Sequence, residues 1–179
     1  MFLSFIKQEL YICIRMEKTK PIKRSVELAP LSRDHHSGLL FCWKIKSGIQ
    51  KGISAGRITD YVAFYYKNHL QEHFSEEEKY VFPLLPVEHE MSIRAYKEHK
   101  DIVSQIQSLA SGKNVNYATL EQLEALLNSH IRFEERQLFP YIEQTAKKDK
   151  FTEAGNTIST LHEEICEPAW EDEFWTITV

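Results

Sequence analysis

The sequence predicts an all-α protein, an up-down-up-down four-helix bundle with a short additional C-terminal helix. Three observations predict it. Apolar residues recur at spacings of three and four over four long stretches, the helical period, and no stretch alternates convincingly with period two. Short polar turns around Gly48–Gly56, Pro86 and Gly112 join the stretches, which favours antiparallel neighbours. The chain has 179 residues, one domain's worth, with 42% hydrophobic and 27% charged residues. That balance excludes a disordered acidic chain, a collagen-like repeat and a membrane protein.

Residues 1–30 read as an N-terminal extension. Met1–Met16 is apolar but interrupted by Lys7, Glu9 and Arg15, too short to span a bilayer and without a signal-peptide pattern. Met16 is an alternative start. The bundle occupies 31–148. Its first helix starts after Pro30, with Ser32 as N-cap, and runs on Leu39, Leu40, Trp43 and Ile45 to about Lys46–Gly52. Ser54 caps the second, which carries Ile58, Tyr61, Val62, Tyr65, Leu70 and Phe74 and ends by Pro83–Pro86. The third spans about Glu88–Ser111 and stops at Gly112. The fourth starts near Tyr117 and continues through Leu120, Leu123, Leu127, Ile131 and Leu138. Residues 149–179 supply an outer helix, about Thr152–Ile165, and an acidic tail with Trp170, Phe174 and Trp175.

Two segments repeat. His73-Phe74-Ser75-Glu76-Glu77-Glu78-Lys79-Tyr80-Val81-Phe82-Pro83 and His130-Ile131-Arg132-Phe133-Glu134-Glu135-Arg136-Gln137-Leu138-Phe139-Pro140 both obey H-x-x-x-E-E-x-x-[VL]-F-P. Residues i and i+4 share a helix face about 6 Å apart along the axis, so an imidazole and a carboxylate so placed reach one metal, or one metal each of a close pair. Two such helices facing each other supply two His and two Glu to one centre. On solvated faces these would be ordinary i,i+4 pairs. The flanking Phe74, Val81, Phe82, Ile131, Phe133 and Leu138 oppose that reading, because bare carboxylates buried beside them cost several kcal/mol unless paired or metal-bound.

The helices without the motif should add ligands. The third offers His99. The first offers the doublet His35-His36, of which His36 is favoured because Leu39, Leu40 and Trp43 stand three, four and seven residues on; His35 is the alternate. The candidate metal ligands are therefore His36 (or His35), His73, Glu77, His99, His130 and Glu134. Four His and two Glu suit iron, with manganese or zinc as competitors. His69 reads as partly exposed, His89 as an exposed helix start, His162 as surface, and Cys42 as a buried small hydrophobe.

Over roughly Leu31–Ile142 the sequence resembles the hemerythrin-like (HHE cation-binding) family, on His36 in Arg33-Asp34-His35-His36-Ser37-Gly38-Leu39, both motifs and His99. The resemblance implies a four-helix bundle around a non-haem di-iron centre with an open position for dioxygen or another small ligand. It also implies that Glu77 and Glu134 bridge the irons and that the four histidines are terminal ligands. Hemerythrins proper carry a second His one turn after the third-helix ligand, where this chain has Val103. That departure moves the chain from the oxygen carriers towards variants that sense, store or handle iron and small gases.

Other classes are disfavoured. A ferritin-like oxidase needs Glu-x-x-His on two helices, and no H-E-x-x-H, P-loop, dinucleotide or nucleophile-elbow motif occurs. With 22 basic against 26 acidic side chains the net charge is −4, which does not favour nucleic acid. Three scattered cysteines, Cys13, Cys42 and Cys166, fit a reducing cytoplasm. The expectation is a metal-binding protein that senses or handles oxygen, nitric oxide or iron. The alternative is a di-iron redox enzyme turning over peroxide or nitric oxide. The aromatic tail is a candidate protein contact.

Overall fold

The computed structural model describes residues 23–162 and 169–176. The N-terminal extension to residue 22, with the alternative start Met16 and Cys13, lies outside the described residues, as does the stretch 163–168 with Cys166.

Helix α1 spans Ala29–Gln50 and α2 spans Ala55–Tyr65. A π-turn over Tyr66–Leu70, α3 (Gln71–Glu76), a second π-turn over Glu77–Val81 and a 3-10 turn over Phe82–Leu84 extend α2 into one long rod. Helix α4 is Glu90–Ala110 and α5 is Tyr117–Phe133. A π-turn over Glu134–Leu138 leads from α5 into α6 (Phe139–Thr145), and α7 is Lys148–His162. No strand occurs among the described residues.

Local chemistry fixes the helix ends. Ser54 accepts from the Arg57 N–H, and Asn116 accepts from the Thr119 N–H at 3.0 Å. Ser32 is not the cap expected of it. Helix α1 starts earlier because Pro30 fits the first turn, where no N–H is needed, and Ser32 already bonds back to the Leu28 carbonyl. At the C-termini of α1 and α4, Gly52 (φ 68°) and Gly112 (φ 76°) take the left-handed conformation. The paired bonds Gly52→Ile49 with Ile53→Gly48, and Gly112→Leu109 with Lys113→Ser108, close both ends as Schellman motifs.

The bundle has two apolar clusters. One gathers Phe41, Ile45, Ile58, Tyr61, Ile102, Ile106, Leu120, Leu123 and Leu127; the other gathers Leu28, Leu31, Val81, Phe82, Ala95, Phe133, Leu138, Phe139 and Ile158. Between them runs a polar belt. His35 stands between Leu31 and Cys42 on α1, and His99 between Ala95 and Ile102 on α4. Glu77 follows Phe74 and precedes Val81. The site is thus a layer inside the core, clamped from both sides.

The tail does not present its aromatics as a free surface. Phe174 and Trp175 are buried in the first cluster beside Tyr61, with Trp170 packed against it. Lys44 lies 3.9 Å above the Trp175 ring, and Arg57 pairs with Asp172.

Candidate metal centre

Both copies of the repeat break the α-helix at the same place. The Phe82 N–H bonds to the Glu77 carbonyl, and the Phe139 N–H to the Glu134 carbonyl, each five residues back. The cause is the next residue. Pro83 and Pro140 lack the N–H that would bond four residues back, and their rings would clash with that carbonyl. Widening to a π-turn relieves the clash, a device that recurs at functional sites. The F-P of the motif therefore shapes the backbone on which the glutamates stand.

Four histidines from four directions meet two glutamates. His35, His73, Glu77 and Glu134 offer ligand atoms all within 4.8 Å of one another, and so do Glu77, His99, His130 and Glu134. Glu77 and Glu134 belong to both groups. Both carboxylates are 0% exposed, and the four histidines are buried. His35 Nε2 lies 3.1 Å from Glu134 and 3.4 Å from Glu77, while His99 Nε2 is 3.3 Å from Glu77 and His130 Nε2 3.3 Å from Glu134.

The opposite ring nitrogens are held by a second circle of carboxylates. His35 Nδ1 is 2.7 Å from Glu135 and His73 Nδ1 is 3.2 Å from Asp34. His99 Nδ1 is 2.8 Å from Glu78 and His130 Nδ1 2.9 Å from Glu98. An ionised carboxylate only accepts, so each Nδ1 carries a proton and each Nε2 is left with a lone pair directed inward. The second glutamate of each E-E pair therefore serves a motif-less helix: Glu78 holds His99 and Glu135 holds His35. Arg24 closes that arrangement, bonding both the carbonyl and the carboxylate of Glu135 at 2.7 Å.

The residues fit a metal. Nε2 of His35, His99 and His130 and both oxygens of Glu77 and of Glu134 are buried without a hydrogen-bond partner. Such atoms are costly in a core unless something ligates them. Without metal, protons on His35 and His99 balance part of the carboxylate charge. Burial opposes charge on His35, yet Glu134, Glu135 and Glu77 hold its pKa well above the ordinary value; burial likewise opposes His99, which Glu77 and Glu78 raise to about 9. Burial would raise Glu77, but His73, His35 and His99 hold it well below the carboxylate range. Glu135, pushed up by burial, is brought down to about 2 by His35, Ser32 and Arg24.

Several residues differ from their sequence reading. His36, the favoured first-helix ligand, is exposed, and His35 is the inward member of the doublet. Helix α1 turns Leu31, His35, Gly38, Cys42 and Ile45 to the core, whereas Leu40 and Trp43, apolar residues that would place His36 on the inner face, are 46% and 53% exposed. The spacing 31, 35, 38, 42, 45 was the signal that would have selected His35. His162 is not a surface residue. Its Nε2 is 2.9 Å from Glu76 and 3.6 Å from Asp34, with the side chain 11% exposed. His89 does start α4, but half-buried, accepting from the Met91 N–H and packed on Tyr141. His69, partly exposed against Tyr65, and Cys42, buried in the first cluster, stand as the sequence reading had them.

Two openings flank the centre. A cavity of about 40 Å³ touches His35, His73 and His130, with Gly38, Leu70, Phe74, Leu127 and Ile131 as its apolar wall. On the other side, Val103 lines a surface groove with His99 and Phe74. Val103 is not in either ligand group, and the Phe74 ring stacks on His99 at 3.9 Å.

The family model described as the hemerythrin HHE cation binding domain matches residues 45–142. That span holds His73, Glu77, His99, His130 and Glu134 and begins after His35, whose place in the group rests on geometry alone. Neither the curated proteins nor the solved structures contain a match to the chain.

Proposed function

The chain belongs to the hemerythrin HHE cation-binding family, and from that premise we propose that it holds a pair of iron ions and uses them to sense or handle a small ligand such as dioxygen or nitric oxide. One observation carries the reading: two four-residue ligand groups share Glu77 and Glu134. His35 and His73 would hold one ion, His99 and His130 the other, with the two carboxylates common to both. Bound iron would supply one-electron chemistry and an exchangeable coordination position. Nitrogen and oxygen donors without a thiolate suit iron, and manganese or zinc compete for them.

The chain's own residues supply the rest. The outer carboxylates of Asp34, Glu78, Glu98 and Glu135 fix each imidazole's tautomer and orientation. The 40 Å³ cavity at His35 and His73 has room for a molecule of a few atoms.

Metal analysis combined with absorption spectra of freshly purified protein, reduced and then exposed to air, tests the proposal. The expected result is iron at about twice the molar amount of chain at full loading, with a spectrum that changes on oxidation. Clean uptake of a single zinc, with no iron after reconstitution, would contradict it.

A further inference from the structure

Helix α7 lies beyond the family-matched span, yet it sends a ligand-type side chain to the mouth of the cavity beside His35 and His73. His162 Nε2 sits 2.9 Å from Glu76 Oε2 and 3.6 Å from Asp34 Oδ2. The same Asp34 oxygen is 3.2 Å from His73 Nδ1, so one carboxylate touches both this triad and an inner ligand. Glu76 is 4% exposed, lines the cavity, and its Oε1 is buried without a partner. Glu72 and His69 line the same cavity. A carboxylate oxygen in that state calls for a cation.

We propose that Asp34, Glu76 and His162 form a further divalent-cation site, a loading station through which ferrous ion passes to the inner position at His35 and His73. The inference rests on the di-metal reading above. The chemistry follows from the donors. One imidazole and two carboxylates suit a borderline divalent ion such as Fe2+ or Mn2+. The negative charge of Asp34, Glu72 and Glu76 concentrates such ions at the opening. His162 and Glu76 already stand at the separation of neighbouring ligands on one ion, whereas Asp34, 3.6 Å from His162, is not within ligand range of Glu76 and must swing inward as the ion binds. Three donors, of which Asp34 is the most exposed, bind more loosely than the inner groups of four, which is what a transfer site requires.

The test uses the full-length chain freed of metal, under anaerobic conditions. Mn2+ alone is titrated in and counted by equilibrium dialysis with EPR detection of the free ion. The wild type should take up a weaker ion beyond the inner pair, and both His162→Gln and Glu76→Gln should lose that ion and keep the pair. Stopped-flow ferrous uptake should be about tenfold slower in both variants while reaching the same final spectrum. Should His162→Gln loosen α7, seen by circular dichroism, Glu76→Gln carries the comparison. A wild type that holds the inner pair and no further ion, or variants that keep the extra ion, would overturn the loading site and leave the inner pair standing. A wild type that holds fewer than a pair would overturn the di-metal reading and this inference together.

Discussion

Glu135 Oε1 lies 2.7 Å from His35 Nδ1, joining residues one hundred positions apart. This contact ties α1 to the π-turn after α5 and turns His35 Nε2 towards Glu77 and Glu134. Ser32 and Arg24 bond the same carboxylate. Replacing Glu135 by Gln should keep the fold and weaken metal binding roughly 10–100-fold, the usual effect of losing an outer carboxylate partner. Competition against a chelator measures it, and unchanged affinity would show that the contact does not tune the ligand.

His35 and His36 give the sharpest contrast in the chain, because they are adjacent and face opposite ways. His35→Ala should lower the bound metal and make the remaining ion easier to remove. His36→Ala should leave stoichiometry and affinity as in the parent. Elemental analysis after dialysis against a weak chelator reads both, and the reverse pattern would mean α1 is rotated from the position described.

Candidate ligands on separate helices would also make a bound metal a clamp on the fold. Stabilisation grows with free metal and affinity, so the parent should show a metal-dependent rise in melting temperature. The double replacement His130→Ala with Glu134→Ala should abolish that rise. His89→Ala, at the start of α4 and in neither ligand group, should retain it. Calorimetry with and without metal decides.

Protonation and metal compete for the same nitrogens. In the metal-free protein His99 is held at about 9 against an ordinary 6.5, burial being outweighed by Glu77 and Glu78, and His35 is raised in the same sense. A folded-state value above the unfolded one contributes stability that is full below pH 6.5 and is lost as pH rises through about 9. Metal needs the neutral imidazole, so its affinity rises across the same window. The metal-free melting temperature should therefore fall from pH 6.5 to 9 while affinity climbs. Thermal melts in chelator and binding titrations at matched pH test this; a metal-free protein that gains stability over that range would contradict it.

Much of this was legible in the sequence because helical periodicity and the H-x-x-x-E-E repeat both report on faces. His73, Glu77, His130 and Glu134 sit on strongly apolar stripes, and the i,i+4 spacing left little freedom in where they point. Helix α1 was harder. Apolar residues lie on both its faces, and Leu40 and Trp43 are exposed, so pattern alone could not choose between two adjacent histidines. The outer carboxylates were hidden for another reason. Asp34, Glu98 and the second glutamate of each motif look like solvated charges until distant helices bring a ring nitrogen to each. His162 and the aromatic tail depend likewise on long-range packing, with no local period to announce where α7 or Phe174 would dock.

The central claim is that Glu77 and Glu134 are common to both ions. Mössbauer spectroscopy of air-oxidised protein reconstituted with 57Fe tests it most directly, alongside Glu77→Ala. The account predicts that the parent shows a spin-coupled ferric pair with no magnetic splitting at low temperature, and that Glu77→Ala loses the coupled signal. Isolated, uncoupled ferric ions in the parent, or an unchanged coupled pair in Glu77→Ala, would contradict it.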